Sequence, residues 1–354
     1  MRRFYGDFGP EQRGGYHARV RLLGLEERML RLGVWVALAL FVFAGCQAAE
    51  EPDIAGGLEG RRFHFTYETT VPCPPEGTRH LDVWVPLPLT DPGVQEVSEL
   101  RIWTSRGTAR QTTEPAYGNR MVHVRVDDPG GPTRVSWTAV ITRYEDVGQG
   151  RLPTSGRFLG ANALIPVDGL AATLAHRLKA DDPSSPVGDR AEHIYNDVLA
   201  SMTYDKKHQG WGRGSFEHAT SICMGNCTDF HARFIGVGRA ARIPCRFTMG
   251  IPMKPGRGAY DSYHCWAHWH DGEAWRPVDI SEADKIVGHD PLGAGRFFGR
   301  LDPDRLALTL GRDIVLEPRQ QGPPLNYFVF PYAEADGKNV EMGKKDGMFT
   351  WTDA

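Results

Sequence analysis

The sequence predicts an α+β protein, with an N-terminal β-sandwich followed by a domain of helices and short antiparallel strands. Two patterns carry this expectation. Apolar residues alternate with period two between Arg61 and Glu145, and after Asp168 the period becomes helical before short strands resume beyond Pro244. Length agrees, because about 300 residues behind a leader are more than one small domain needs.

The chain opens with residues 1–28, which hold Arg2, Arg3, Arg13, Arg19, Arg21 and Arg28 and read as a misassigned upstream start. Met29 is then the initiator. Residues 29–45 carry Arg31, an apolar run from Leu32 to Phe43, and small residues before Cys46, the plan of a signal peptide. The run is shorter than a membrane span requires. It is similar to a bacterial lipoprotein signal, which makes Cys46 the expected lipidation site and the location periplasmic or cell-surface, membrane-anchored. Residues 46–60, rich in Glu, Ala and Gly, are the expected tether.

Residues 61–147 are the expected β-sandwich. Phe63, Phe65 and Tyr67 alternate with polar residues, as do Leu81, Val83 and Val85, then Val122, Val124 and Val126, then Val135, Trp137, Ala139 and Ile141. Turn clusters such as Asp91-Pro92-Gly93 and Asp128-Pro129-Gly130 separate the runs.

Residues 155–335 form the second expected domain. Asp168 is placed to cap a helix bearing Leu170, Leu174 and Leu178, and another from about Asp189 aligns Ile194, Val198 and Met202. Gly225-Asn226 turns into a third helix, where Cys227, Phe230, Phe234, Val237 and Ala241 recur at helical spacing until Pro244 stops it. Strands are expected at Cys245–Met249, Tyr263–His270 and Trp275–Ile280, and a buried one at Asn326–Pro331. Residues 336–354 read as peripheral.

Cys227 in the first turn of a helix meets unsatisfied N–H groups and the positive dipole end, which favour thiolate over thiol. Antiparallel strands would bring His264 against it and Asp279 behind the imidazole. Nucleophile, base and orienting carboxylate then follow in order, the requirement of thiol acyl transfer. Trp211 and Tyr204 are candidates for the cleft or an oxyanion contact, as is His231 four residues beyond Cys227, although packing explains all three equally well. Arg300, Arg305 and Arg312 are candidate carboxylate binders, with surface ion pairs as the plain alternative.

At Gly225-Asn226-Cys227-Thr228-Asp229-Phe230, Ile243-Pro244-Cys245-Arg246, His264 to Trp266 and Trp275 to Asp279, the chain resembles the transglutaminase-like superfamily, a relative of papain-like folds. The resemblance spans about Asp168 to Asp284. It implies a Cys227, His264, Asp279 catalytic triad and a cysteine-dependent amide or peptide hydrolase, or acyltransferase, working through a thioester. The chain departs from the family at Cys245, where a small residue is usual, and at His268, where an acidic one is common.

Two other classes compete. A non-catalytic envelope binding or scaffold protein would keep the fold without the chemistry, and a zinc protein would use Cys223, Cys227 and His231, which repeat every four residues. No metal or cofactor is expected, since no calcium-loop motif is present. Four cysteines remain beyond Cys46 and Cys227, and Cys245 with Cys265, on strands expected to pair, are the candidate disulfide. A net charge of −3, with 24% charged residues, argues against nucleic acid as the partner. A peptide or protein of the cell envelope is the expected substrate, reached by the lipid anchor.

Overall fold

Alternation builds the first part of the fold as expected. The structure is a computed structural model that describes residues 57–342 and 348–354. Residues 1–56, with the upstream start, signal peptide, most of the tether and Cys46, lie outside the described residues. Six strands come first: β1 Gly60–Val71, β2 His80–Pro86, β3 Gln95–Thr104, β4 Thr108–Thr113, β5 Arg120–Asp127 and β6 Thr133–Tyr144. Next come α1 Leu170–Arg177, α2 Val187–Ser201, β7 Thr203–Tyr204, α3 Phe216–Ile222, β8 Met224–Gly225 and α4 Cys227–Ala240. The chain continues through β9 Cys245–Pro252, β10 Arg257–Tyr260, β11 His264–His270, β12 Trp275–Val278, α5 Ile280–Ile286 and α6 Pro291–Gly295. It closes with β13 Arg305–Leu310, β14 Tyr332–Ala335, β15 Lys338–Asn339 and β16 Phe349–Asp353.

Two five-stranded sheets, ordered β10-β16-β1-β6-β3 and β15-β14-β2-β5-β4, make the sandwich. Phe63, Phe65, Tyr67 and Trp137 from one sheet pack with Leu81, Val83, Val122 and Val124 from the other in one buried cluster. The Trp137 indole N–H donates to the Pro86 carbonyl at 2.9 Å and so ties the layers together.

Three expectations need correction. Residues 336–354 are not peripheral: β16 lies between β1 and β10, with Phe349 fully buried opposite Tyr67 in the ladder. The turn-separated apolar alternation that marks strands was too weak there to be read. Asn326–Pro331 is not a strand, for the sheet begins at Tyr332, although Phe328 and Val329 are buried. Their carbonyls are satisfied from the side, by the Thr309 and Tyr67 hydroxyls, which replaces ladder pairing. The described residues also form one compact unit rather than two separable domains, because β10 leaves the second half to pair with β16.

The second half sets helices against a four-stranded antiparallel sheet, β12-β11-β9-β13. Helix α4 is buried along nearly its whole length. It packs on α1, α2 and α3 and against β11. Gly236 permits the contact with α3, since a Cβ there would stand 2.4 Å from the Phe216 ring.

Candidate active site

Helix α4 begins at Cys227 because Asn226 and Asp229 cap it reciprocally. The Asn226 side chain accepts from the Thr228 N–H at 2.9 Å, and the Asp229 carboxylate accepts from the Asn226 N–H at 3.0 Å. Asp229 also accepts from the Gly212 and Gly214 N–H groups at 2.7 and 2.9 Å, so one buried carboxylate fixes both the helix start and the preceding loop. Gly225 leaves room for it, as a Cβ there would fall 2.4 Å from the Asp229 Cβ. At the first helical position the Cys227 N–H has no intrahelical acceptor and is free for an anion.

Strand β11 brings His264 to the same place, and the end of β12 delivers Asp279. The His264 Nε2 lies 2.6 Å from the Asp279 Oδ2, which leaves Nδ1 for Cys227. Asp279 is fully buried. Its Oδ2 also accepts from the Arg305 Nη1 at 3.0 Å, and its Oδ1 accepts from the Ser281 hydroxyl and the Glu282 N–H at 3.0 and 3.2 Å. A buried carboxylate with four donors is the arrangement that burial demands of a charge.

The charges follow from these contacts. The Cys265 thiol donates to Cys227 and, with the His264 hydrogen bond and the His264 charge, holds the Cys227 thiol well below its usual range despite burial. Burial works against protonated His264, but Asp279 and Cys227 outweigh it and raise the imidazole to about 10. Burial likewise opposes ionised Asp279, yet His264 and Arg305 hold its carboxyl far below the usual carboxylate range. At neutral pH the group is a thiolate, an imidazolium and a carboxylate in sequence. It can deliver a nucleophile and a proton to opposite sides of a carbonyl carbon.

The other predicted residues are distributed around this centre. His231 is wholly buried behind it, where its Nε2 accepts from the Ile280 N–H at 3.2 Å and burial keeps it neutral, so it lies away from any cleft. Tyr204 is half-buried, pairs through β7 with Gly225 in β8, and lies under the Lys285 ammonium. Trp211 is 39% exposed, in the loop that Asp229 pins.

Cys245 and Cys265 do not form the expected disulfide. In the β9–β11 ladder Cys265 opposes Met249 whereas Cys245 opposes Trp269, so four register steps, roughly 13 Å, separate them. Sequence nearness of paired strands says nothing about register. The zinc arrangement fails as well, because α3 ends at Ile222 and Cys223 adopts a left-handed cap, so Cys223 and Cys227 share no helix. Among the described residues, His264, Asp279 and Glu282 offer ligand atoms within 4.8 Å of one another, but the Arg305 cation already occupies Asp279.

None of the three arginines is a free carboxylate binder. Arg300 pairs with Glu145, Arg312 bonds to the Gly214 and Arg213 carbonyls, and Arg305 spans Asp279 and Asp302. The role of Arg305 escaped sequence reasoning, since nothing local marks it as buried.

A model of the transglutaminase-like superfamily core matches residues 172–280, which include Cys227, His264 and Asp279. The chain is 25% identical over 320 aligned residues to an uncharacterized protein of Haemophilus influenzae, covering 78% of this chain and 85% of that one. It also resembles in fold a crystal structure from Cytophaga hutchinsonii, provisionally assigned as a cysteine protease. That match has a TM-score of 0.51 at 13% identity and covers 84% of this chain and 98% of the other. Fold and site thus define a protein of the cysteine-type hydrolase and transferase class. The chain carries a domain of the transglutaminase-like superfamily.

Proposed function

We propose that the protein is an extracytoplasmic cysteine-dependent amide or peptide hydrolase. The buried Cys227, His264, Asp279 relay at the start of α4 carries this reading, because burying two opposed charges next to a thiol has no evident structural benefit. The Cys227 thiolate attacks the carbonyl carbon, forming a C–S bond as the carbonyl π pair moves to oxygen. The Cys227 N–H is the donor available to that oxyanion. Collapse breaks the C–N bond, and the His264 imidazolium gives its proton to the departing amine. Neutral His264 then takes a proton from water, whose oxygen attacks the thioester, and cleavage of the C–S bond restores the thiolate and imidazolium. An amine in place of water would make the same site a transferase, but water requires no further binding site.

The apolar run before Cys46 supports an envelope location and, through lipid on Cys46, a membrane anchor, so envelope peptides or proteins are the proposed substrates. Alkylation of Cys227 by iodoacetamide, followed by mass spectrometry against pH, tests the chemistry. Labelling well below the ordinary thiol pKa of about 8.5 is expected in the wild type and slower labelling in His264→Ala. Slow labelling indifferent to His264 would leave a scaffold as the better reading.

A further inference from the structure

A cavity of about 520 Å³ opens beside His264, at the seam where β10 and β16 of the sandwich meet the catalytic sheet. Its volume lies within the range of about 300–1,000 Å³ usual for small-ligand sites. His264 lines it and Cys227 does not. This asymmetry has a chemical meaning under the mechanism proposed above, on which the present inference rests. The acyl half of a substrate is joined to Cys227, whereas the departing amine must receive its proton from His264. A cavity that touches only His264 therefore faces the departing half.

The lining indicates what that half is. Near His264 stands Glu282, with a carboxylate oxygen 3.7 Å from the imidazole Nε2, but Glu282 is itself paired with Lys285. Phe297 and Trp351 supply an aromatic wall, and the Trp351 ring is fixed by its indole N–H donating to the Lys254 carbonyl at 2.9 Å. Lys254 and Arg257 also line the cavity and are exposed, and among the described residues neither side chain has an ion-pair partner. The acids of the lining are all paired, Glu282 with Lys285, Asp302 with Arg305 and Asp304 with Arg61, so the unpaired charge of the cavity is positive. With an aromatic wall beside His264 and two unpaired cations in the lining, we propose that this cavity is the leaving-group subsite, and that it takes a short peptide with a free C-terminal carboxylate. The enzyme would then release short C-terminal fragments. Trp351 gives the sandwich a part in substrate selection, since β16 belongs to the sandwich sheet.

Binding can be read without turnover. Leucyl-alanine, its C-terminal amide and its N-acetyl form are titrated by NMR into the full chain carrying Cys227→Ala, with and without Lys254→Glu and Arg257→Glu together. Both cations are exposed, so the double variant is expected to fold. Leucyl-alanine should bind roughly ten-fold tighter than the amide. The preference should vanish in the double variant, and N-acetylation should leave the preference over the amide in place, since Glu282 is already neutralised by Lys285. Equal affinity for acid and amide, a preference that survives the double variant, or no binding of any of the three overturns the subsite. Cys227 alkylation in the wild type separates the two readings: rapid, His264-dependent labelling without dipeptide binding would reject the subsite and keep the nucleophile.

Discussion

His264 and Cys227 hold one proton between them in the folded state, and this fixes how stability should vary with pH. His264 is raised to about 10, so its contribution is complete below its unfolded value near 6.5 and is lost as pH rises toward 10. Cys227 is depressed, so between its folded pKa and about 8.5 the unfolded chain holds a proton that the folded chain lacks, and stability rises with pH. Between roughly pH 6.5 and 8.5 the two slopes are equal and opposite. Urea midpoints are therefore expected to show no net slope from this pair across that window in the wild type. In Cys227→Ala only the histidine slope remains, so the difference between the two proteins should widen steadily across this window and level off above about pH 8.5. A constant difference would refute the thiolate–imidazolium pair. Arg305→Met tests the carboxylate end: it leaves Asp279 buried with one cation fewer and should cost about 3–5 kcal/mol in urea unfolding.

Helix α4 is the element on which the site depends, and two substitutions probe it in opposite senses to propensity. Asp229→Ala removes the capping box and strands the Gly212 and Gly214 N–H groups, for an expected loss of about 2–4 kcal/mol by calorimetry. Gly236→Ala should gain up to about 1 kcal/mol from helix propensity alone. Its new methyl would meet the Phe216 ring at 2.4 Å, so a net loss of about 1–3 kcal/mol is expected. The start of this helix was legible because Asn226, Cys227 and Asp229 are neighbours in sequence and the cap is local. The helices before it were placed near their observed ends, although Gly169 rather than Asp168 stands at the first N-cap, and α2 starts at Val187 rather than at about Asp189. Strands β3 and β4 were not legible: most of their residues face solvent or are half-exposed, so no apolar alternation survives to mark them. Register was also invisible, which is why Cys245 and Cys265 seemed partners. Arg305 lies 26 residues beyond Asp279, and only the β13–β9–β11 sheet order brings them together.

At the scale of the whole molecule the sandwich and the transglutaminase-like half share a polar seam. Gln95 on β3 exchanges hydrogen bonds with Ala307 on β13 at 2.8 and 2.9 Å, and Asp146 lies 3.0 Å from the His268 Nε2. Burial and the neighbouring Arg246 depress His268 to about 4, so it bonds to Asp146 as a neutral ring, and acid should weaken the seam because only the unfolded chain protonates readily below pH 6.5. The same continuity makes the last strand essential. Phe349→Ala should cost about 3–5 kcal/mol and is expected to lower a single cooperative thermal transition of sandwich and catalytic half together. Two separate transitions would show that the halves melt independently.

Strand β1 finds one neighbour in β6 and the other in β16, where Phe63 pairs with Asp353. During synthesis, therefore, one side of β1 stays open until almost everything after it has been made. The chain leaves the ribosome with an unsatisfied strand edge and the seam cavity lacking a wall. A polypeptide whose sheet closes this late keeps an open strand edge for most of its synthesis, so the pairing of β1 is the last part of the sandwich to be settled.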